Sequence, residues 1–245
     1  MKNINLIKTT SQNRKGLIDV WNAKMVESAT FSKHDIPLCP TTATDIPKCL
    51  IGYDEAKTIH NKKNSLKQTD YHIYAFVHFY VDDSKFDGKR NSFWTYPDKV
   101  LEILKHFDGC ICVDVSTYSD FPDPIKRWNY YRMNAFGYWL TTKGIKVISN
   151  VRWNDKSTWR YCFDGNPHNS MLCLGTIASG LKYKANYDMF HEGLLKMAEV
   201  LKPHTLLVYG SINYPCFDEL KDIGITVVEY RSKTSEVYER RQPYE

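Results

Sequence analysis

The chain has 245 residues, of which 42% are hydrophobic and 25% are charged, and its formal net charge is +5. This length and hydrophobic content are enough for one large α/β domain with its own core. The chain contains no apolar run of about 18 residues, and its start, MKNINLIKTTSQNRKG, lacks the apolar stretch of a signal peptide. We therefore expect no membrane segment and a cytoplasmic location.

Cysteine and aromatic content narrow the expected chemistry. Seven cysteines are an odd number, no CxxC pair occurs, and Cys110, Cys112 and Cys173 fall in predicted buried strands, so reduced thiols and no structural zinc are expected. The mild positive charge permits nucleic acid as a partner. The 17 Tyr and 6 Trp predict some exposed rings, which can stack on bases or sugars.

Residues 1–65 form the least regular part of the sequence. A short helix is expected over 17–25, but Pro37, Pro40 and Pro47 prevent a helix in the following segment. We interpret 1–65 as an irregular N-terminal arm packed on a core domain of residues 66–231. A polar tail, 232–245, follows the core.

The first clear strand of the core is 71–83, YHIYAFVHFYVDD, and a helix is expected over 96–107. The strand ends in two carboxylates, Asp82 and Asp83. The following residues, SKFDGKRN, are typical of a turn, so a purely structural role for the pair is one interpretation. The other is functional, because paired carboxylates at a strand end can bind a metal or act as a general base.

Residues 109–153 predict a strand, a helix and a second strand. The strand 110–115 is apolar apart from Asp114, the helix 125–140 has apolar residues at nearly 3.6-residue spacing, and Gly144 is placed to end that helix. The second strand is 145–151. Such a unit makes its two strands parallel.

Polar residues follow the strands of this unit at the ends where parallel sheets bind ligands. Asp114 and Ser116 end the first strand, and Asn150 and Arg152 end the second. On the helix between them, two further polar side chains share one face because they are three residues apart, Asn129 and Arg132.

Two interpretations of this polar group stay open. In the first, Arg132 pairs with Asp114 or caps a neighbouring element, because a buried charge needs a partner. In the second, Asp114, Ser116, Tyr118, Asn129 and Arg132 line a cleft, and the arginine near a helix start binds a phosphate or carboxylate.

The remaining elements complete a mostly parallel sheet. After a loop that contains Trp153, strands are predicted at 170–179, 205–211 and 225–230, with helices at 186–201 and 216–223, and Tyr209 lies at a strand end. About six strands with helical crossovers predict an α/β fold, either an incomplete barrel or an open doubly wound sheet. No GxGxxG after a strand, GxxxxGK[ST], HExxH or GxSxG motif occurs, so a nucleotide cofactor is not expected.

An ordered series of motifs resembles a known family. The motifs are FVHFYVDDSKFD, FWTYPDKVLEIL, GCICVDVSTYSDFP, WNYYRMNAFGYWLTTKGIKVISNVRW, FDGNPHNSM and LLVYG. Over residues 36–211 the chain is similar to a domain of unknown function found in bacteria, plasmids and phages. Where that family usually reads Pro-Asp-Phe-Ser, this chain has Val113-Asp114-Val115-Ser116. The resemblance implies a mobile-element setting and no particular reaction.

Our main hypothesis is a phage or mobile-element hydrolase that acts on nucleic acid or a nucleotide-like substrate, such as a base-excising DNA glycosylase. Asp114, Asp83 and Arg132 are the expected catalytic residues. The expected substrate-binding residues are Ser116, Tyr118, Asn129, Asn150, Arg152, Trp153 and Tyr209. Cleavage of an N-glycosidic bond needs no metal, whereas Mg²⁺ held by Asp82, Asp83 and Asp114 would suit a phosphodiesterase. The alternative is a non-catalytic protein that captures a host protein or a small molecule.

Overall fold

The computed structural model describes residue 16, residues 18–177 and residues 179–232. A seven-stranded sheet forms its centre, with α-helices in the connections. The strands are β1 Leu50–Gly52, β2 Ile73–His78, β3 Phe107–Ile111, β4 Val147–Asn150, β5 Met171–Gly175, β6 Thr205–Tyr209 and β7 Thr226–Tyr230. The helices are α1 Tyr53–Ser65, α2 Pro97–Leu104, α3 Asp123–Thr142, α4 Lys184–Leu201 and α5 Pro215–Asp222.

The strands lie in the sheet in the order of the sequence, and every neighbouring pair is parallel. Because parallel crossovers are almost always right-handed, a sequential order places all the connecting helices on the same face of the sheet. The sheet curls into a half-barrel with the helices on its outer face. The predicted α/β class and the parallel sheet are confirmed, and the architecture is the incomplete barrel rather than the doubly wound sheet.

The predicted irregular arm is shorter in the structure. Leu50–Gly52 is the edge strand β1, which pairs with β2, and Tyr53–Ser65 is α1. The expected helix near the N-terminus is a short 3₁₀-helix at Ala23–Val26, and residue 17 lies outside the described residues. Residues 233–245, which make up nearly all of the predicted polar tail, also lie outside the described residues.

The core has two parts, one on each face of the sheet. The larger part lies between the outer face and the helices, where the apolar side of α2 and the long helix α3 are buried. The smaller part fills the inner face of the half-barrel. Its buried members are Ala43, Phe76, Ile111, Ile148, Met171, Cys173 and Leu207.

The segment before β1 closes the amino-terminal end of the half-barrel. The Thr41 hydroxyl donates to the carbonyl of Met171 at 2.8 Å and accepts from the amide of Ser149 at 3.0 Å. The Thr42 amide donates to the carbonyl of Val147 at 2.8 Å. These bonds satisfy backbone groups at the starts of β4 and β5, so the opposite, carboxyl end of the sheet is the end left for a ligand.

Two further expectations concern location and redox state. In the described part of the chain no helix is long and apolar enough to cross a membrane. All seven cysteines are present as free thiols, and six of them are buried.

Candidate functional site

A cavity of about 770 Å³ opens at the carboxyl ends of β2, β3, β4 and β5. This is the edge at which parallel α/β sheets bind their ligands. Six of the side chains predicted for the site line it: Asp83, Asp114, Ser116, Tyr118, Arg152 and Trp153. Asp82 lines it as well.

The loop after β3 contributes Asp114 and residues 116–119 to the lining of this cavity. The strand ends at Ile111, earlier than predicted, and the chain continues in an extended form to Asp114 and Ser116. Asn129 of α3 is buried and donates its side-chain amide to the Ser116 carbonyl at 2.7 Å. This bond ties the loop to the helix. Asn129 therefore supports the site from behind and does not line the cavity.

Asp114 is held by two neighbours from the end of β4. Arg152 donates from Nη1 to Asp114 Oδ2 at 2.6 Å, and Asn150 donates from Nδ2 to Asp114 Oδ1 at 3.0 Å. Arg152 Nε also donates to the Thr117 hydroxyl at 3.0 Å. Burial disfavours the charge of Arg152, but Asp114 more than offsets this, and the pKa of the guanidinium is raised. The pair is thus a fixed ionic element of the cavity wall.

Asp83 is the second carboxyl group of the wall and is held less tightly. Its Oδ2 accepts a hydrogen bond from the Ser116 amide at 3.2 Å. Burial raises the pKa of Asp83, and the negative charge of Asp114 raises it further, while hydrogen bonds from Ser116 and the charge of Arg152 act in the opposite direction. Asp83 therefore accepts a proton more readily than an exposed carboxylate.

The structure corrects the predicted position of Arg132. Its guanidinium pairs with Asp87, Nη1 to Oδ2 at 2.6 Å, and also donates to Asn129 Oδ1 at 2.7 Å. Arg132 does not pair with Asp114 and does not line the cavity. The arginine beside Asp114 is Arg152, from the other strand end.

Aromatic and apolar side chains also line the cavity. Trp153 lies against Phe190 of α4, with ring centroids 5.3 Å apart, and Leu181 and Met189 extend this surface. Tyr118 lines the cavity with 60% of its surface exposed. The cavity therefore offers both charged groups and flat apolar surface.

Tyr209, predicted to bind substrate, is buried instead. Its ring stacks on Tyr80 at 5.5 Å between centroids and lies 3.9 Å from the ring of His78. Tyr80 is a lining residue that the sequence interpretation missed, as are Thr117 and Asn154. The sequence did contain a signal for Tyr80, because it lies two residues before the Asp82 and Asp83 pair at the end of the predicted strand.

The charged wall does not fit the magnesium site considered from the sequence. Within the described residues, no three His, Cys, Asp or Glu side chains are grouped closely enough to hold a metal ion together, so Asp82, Asp83 and Asp114 do not form the expected set of three ligands. Both oxygens of Asp114 are also engaged, one by Asn150 and one by Arg152. No step through a metal follows from this arrangement.

Comparison with known families identifies the chain. The family described as "Domain of unknown function (DUF4417)" matches residues 29–231. The chain belongs to this family. This confirms the resemblance seen in the motifs and extends it through β7. All the residues named for the cavity lie within the matched range.

Two phage proteins are similar to the chain. The Gene 1 protein of Mycobacterium phage L5 is 27% identical over 203 residues, covering 81% of this chain and 80% of the phage protein. The Gene 1 protein of Mycobacterium phage D29 is 26% identical over 234 residues, covering 93% of this chain and 80% of the phage protein. These relatives support the mobile-element setting of the family. No solved structure matches the chain.

Proposed function

We propose that this protein is a metal-independent hydrolase that cleaves the N-glycosidic bond of a nucleic acid or nucleotide-like substrate. The observation that supports this best is the pair of carboxyl groups in one cavity, Asp83 and Asp114, in different electrostatic surroundings. Asp114 is fixed in an ion pair at 2.6 Å, whereas burial raises the pKa of Asp83. Two carboxyl groups in unlike environments can divide acid and electrostatic roles between them.

In this proposal Asp83 is the general acid and then the general base. It gives its proton to a nitrogen of the departing base as the bond from that base to the sugar C1′ breaks. The sugar becomes an oxocarbenium cation, which the carboxylate of Asp114 stabilises. Water then attacks C1′ and loses a proton to the Asp83 carboxylate, which returns Asp83 to its starting form. The products are the free base and a sugar with a hydroxyl at C1′.

The aromatic side chains that line the cavity suit a planar leaving group. The faces of Trp153 and Phe190 and the exposed ring of Tyr118 provide surfaces on which a base can stack. A base within a duplex would have to be flipped out of the helix to reach Asp83. Unpaired or modified bases leave the stack at lower cost, so single-stranded or base-modified DNA is the preferred substrate.

A product assay tests the proposal. The purified protein is incubated with single-stranded, duplex and base-modified phage DNA and with free nucleotides, each with EDTA and with Mg²⁺. We expect free base, detected by mass spectrometry, and abasic sites, and neither should depend on the metal. Asp83→Asn should lose this activity. The matched control Asp120→Asn, an exposed carboxylate in the loop after β3, should keep it.

Two results would contradict the proposal. Strand breaks that require Mg²⁺, without free base, would indicate phosphodiester cleavage. The absence of product on every substrate would favour a second candidate, the capture of a small molecule without turnover. That candidate is supported by the contacts of Asp114, since Asn150 and Arg152 already donate hydrogen bonds to both of its oxygens.

A further inference from the structure

Asn150 lies directly behind Asp114 and has an amide whose orientation can be worked out. Its Nδ2 lies 3.0 Å from Asp114 Oδ1 and 3.3 Å from the backbone carbonyl of Val113. A carbonyl oxygen only accepts hydrogen bonds, and so does an ionised carboxylate. The nitrogen of the amide must therefore face these two groups, and the oxygen must face the other way.

The other side of the amide faces a tyrosine. The Tyr80 hydroxyl lies 2.9 Å from Asn150 Oδ1. Since an amide oxygen only accepts, the Tyr80 hydroxyl must be the donor. The hydroxyl also contacts the Cys173 sulfur at 3.2 Å. A directed series of hydrogen bonds thus runs from Tyr80 through Asn150 to Asp114.

We propose that Tyr80 is a positioning residue of the site: its hydroxyl fixes the amide of Asn150, and Asn150 in turn orients Asp114. The catalytic consequence of this positioning rests on the proposed function, but the hydrogen bonds themselves do not depend on it. If the amide of Asn150 were free to rotate by a half-turn, its oxygen would face the Asp114 carboxylate and repel it. By donating to Oδ1, the Tyr80 hydroxyl adds to the bonds from Nδ2 to Asp114 and Val113 that hold the amide in its present orientation.

The surroundings of Tyr80 hold its ring in place. His78 and Tyr209 stack against it at 5.6 and 5.5 Å between centroids. On another side lies Gly175, where a Cβ atom would come within 2.7 Å of the Tyr80 ring. The Tyr80 ring can occupy its position because Gly175 has no side chain. Burial also raises the pKa of Tyr80, so its hydroxyl keeps the proton that it donates.

The proposal is tested by NMR on the side-chain amide of Asn150, in the wild type and in Tyr80→Phe. We expect hydrogen exchange of this amide to become about tenfold faster in the variant, as for the loss of one hydrogen bond. Gly175→Ala should have the same effect, because it displaces the ring without removing the hydroxyl. The control is Tyr74→Phe on β2, where the tyrosine is 81% exposed, and it should leave the exchange unchanged.

Kinetics separate this proposal from the proposed function. With an active wild type, Tyr80→Phe should lower kcat about tenfold and leave KM unchanged, since Asp114 acts on the transition state. If the wild type releases no base but Tyr80→Phe still speeds the exchange of the Asn150 amide, the positioning role holds and the hydrolase proposal fails. Unchanged exchange in both Tyr80→Phe and Gly175→Ala would overturn the positioning role.

Discussion

The two shortest Asp–Arg ion pairs of the described residues differ in whether they reach the cavity. Asp114 with Arg152 and Asp87 with Arg132 have the same closest distance, 2.6 Å. Arg152 lines the cavity with 30% of its side chain exposed, whereas Arg132 is only 12% exposed and does not reach it. The first pair can meet a ligand and the second cannot.

The contacts of the second pair show what it does instead. Asp87 also accepts a hydrogen bond from the Ser92 hydroxyl at 2.7 Å, and the Arg132 guanidinium lies over the ring of Phe93. Through Asn129, Arg132 is connected to the carbonyl of Ser116, at the edge of the cavity. The same chemical pair therefore lines the cavity in one place and stabilises the fold in the other.

The largest expected effect is on turnover, from Asp114→Asn. The amide that replaces the carboxylate cannot stabilise a cationic transition state, so we expect a loss of about 100- to 1000-fold in kcat. Base release under single-turnover conditions measures it, with Asp120→Asn as the matched control. Turnover equal to that of the wild type would show that Asp114 is not part of the chemistry.

The next effect is on stability, from Arg132→Met. This change leaves the Asp87 carboxylate without its partner in a largely buried position, so the free energy of unfolding should fall by about 3 kcal/mol. Urea denaturation followed by tryptophan fluorescence measures the change. Arg90→Met, at an exposed position, should have almost no effect. A fully stable Arg132→Met would contradict the supporting role.

A smaller effect is expected on binding, from Tyr118→Ala. Loss of one aromatic surface for stacking should weaken substrate binding about tenfold and leave kcat unchanged. Titration with a single-stranded oligonucleotide, followed by fluorescence anisotropy, measures the affinity. Tyr74→Ala removes a ring that is even more exposed but does not line the cavity, and this variant should bind as the wild type does. Equal loss in both variants would indicate non-specific contacts.

The smallest effect is a gain of stability at neutral pH, from Asp83→Asn. Because the pKa of Asp83 is raised in the folded state, the folded protein binds this proton more tightly than the unfolded chain does. This contribution to stability is fully present below the pKa of the unfolded chain and is lost as the pH rises through the pKa of the folded protein. The variant removes this penalty, so Tm at neutral pH should rise by about 2 °C. The difference should disappear at acid pH, where wild-type Asp83 is protonated. A Tm that falls would contradict the raised pKa.

The fold was largely predictable because most strands and helices have a strong pattern. The strand β1 and the helix α1 were missed for identifiable reasons. Leu50–Gly52 is only three residues long and closely follows Pro47, and α1 buries only Tyr53 and Ala56, so it has no apolar stripe. An isolated short strand is defined by its partner in the sheet and not by its own sequence.

The site was predictable to the extent that it depends on strand ends. Asp83, Asp114 and Arg152 follow successive strands, and parallel strands bring such residues together. Spacing on the helix also predicted that Asn129 and Arg132 share a face. It could not show that Asp87, 45 residues away in the sequence, would take Arg132 as its partner. Which aspartate pairs with which arginine depends on tertiary packing.

The most direct test of this account compares base release per folded molecule in Asp114→Asn and Arg132→Met, with EDTA present and the folded fraction measured in the same buffer. We predict that Asp114→Asn is folded and inactive and that Arg132→Met releases base at the wild-type rate once its unfolded fraction is subtracted. Equal loss of activity per folded molecule in the two variants, or activity that EDTA abolishes, would contradict the account.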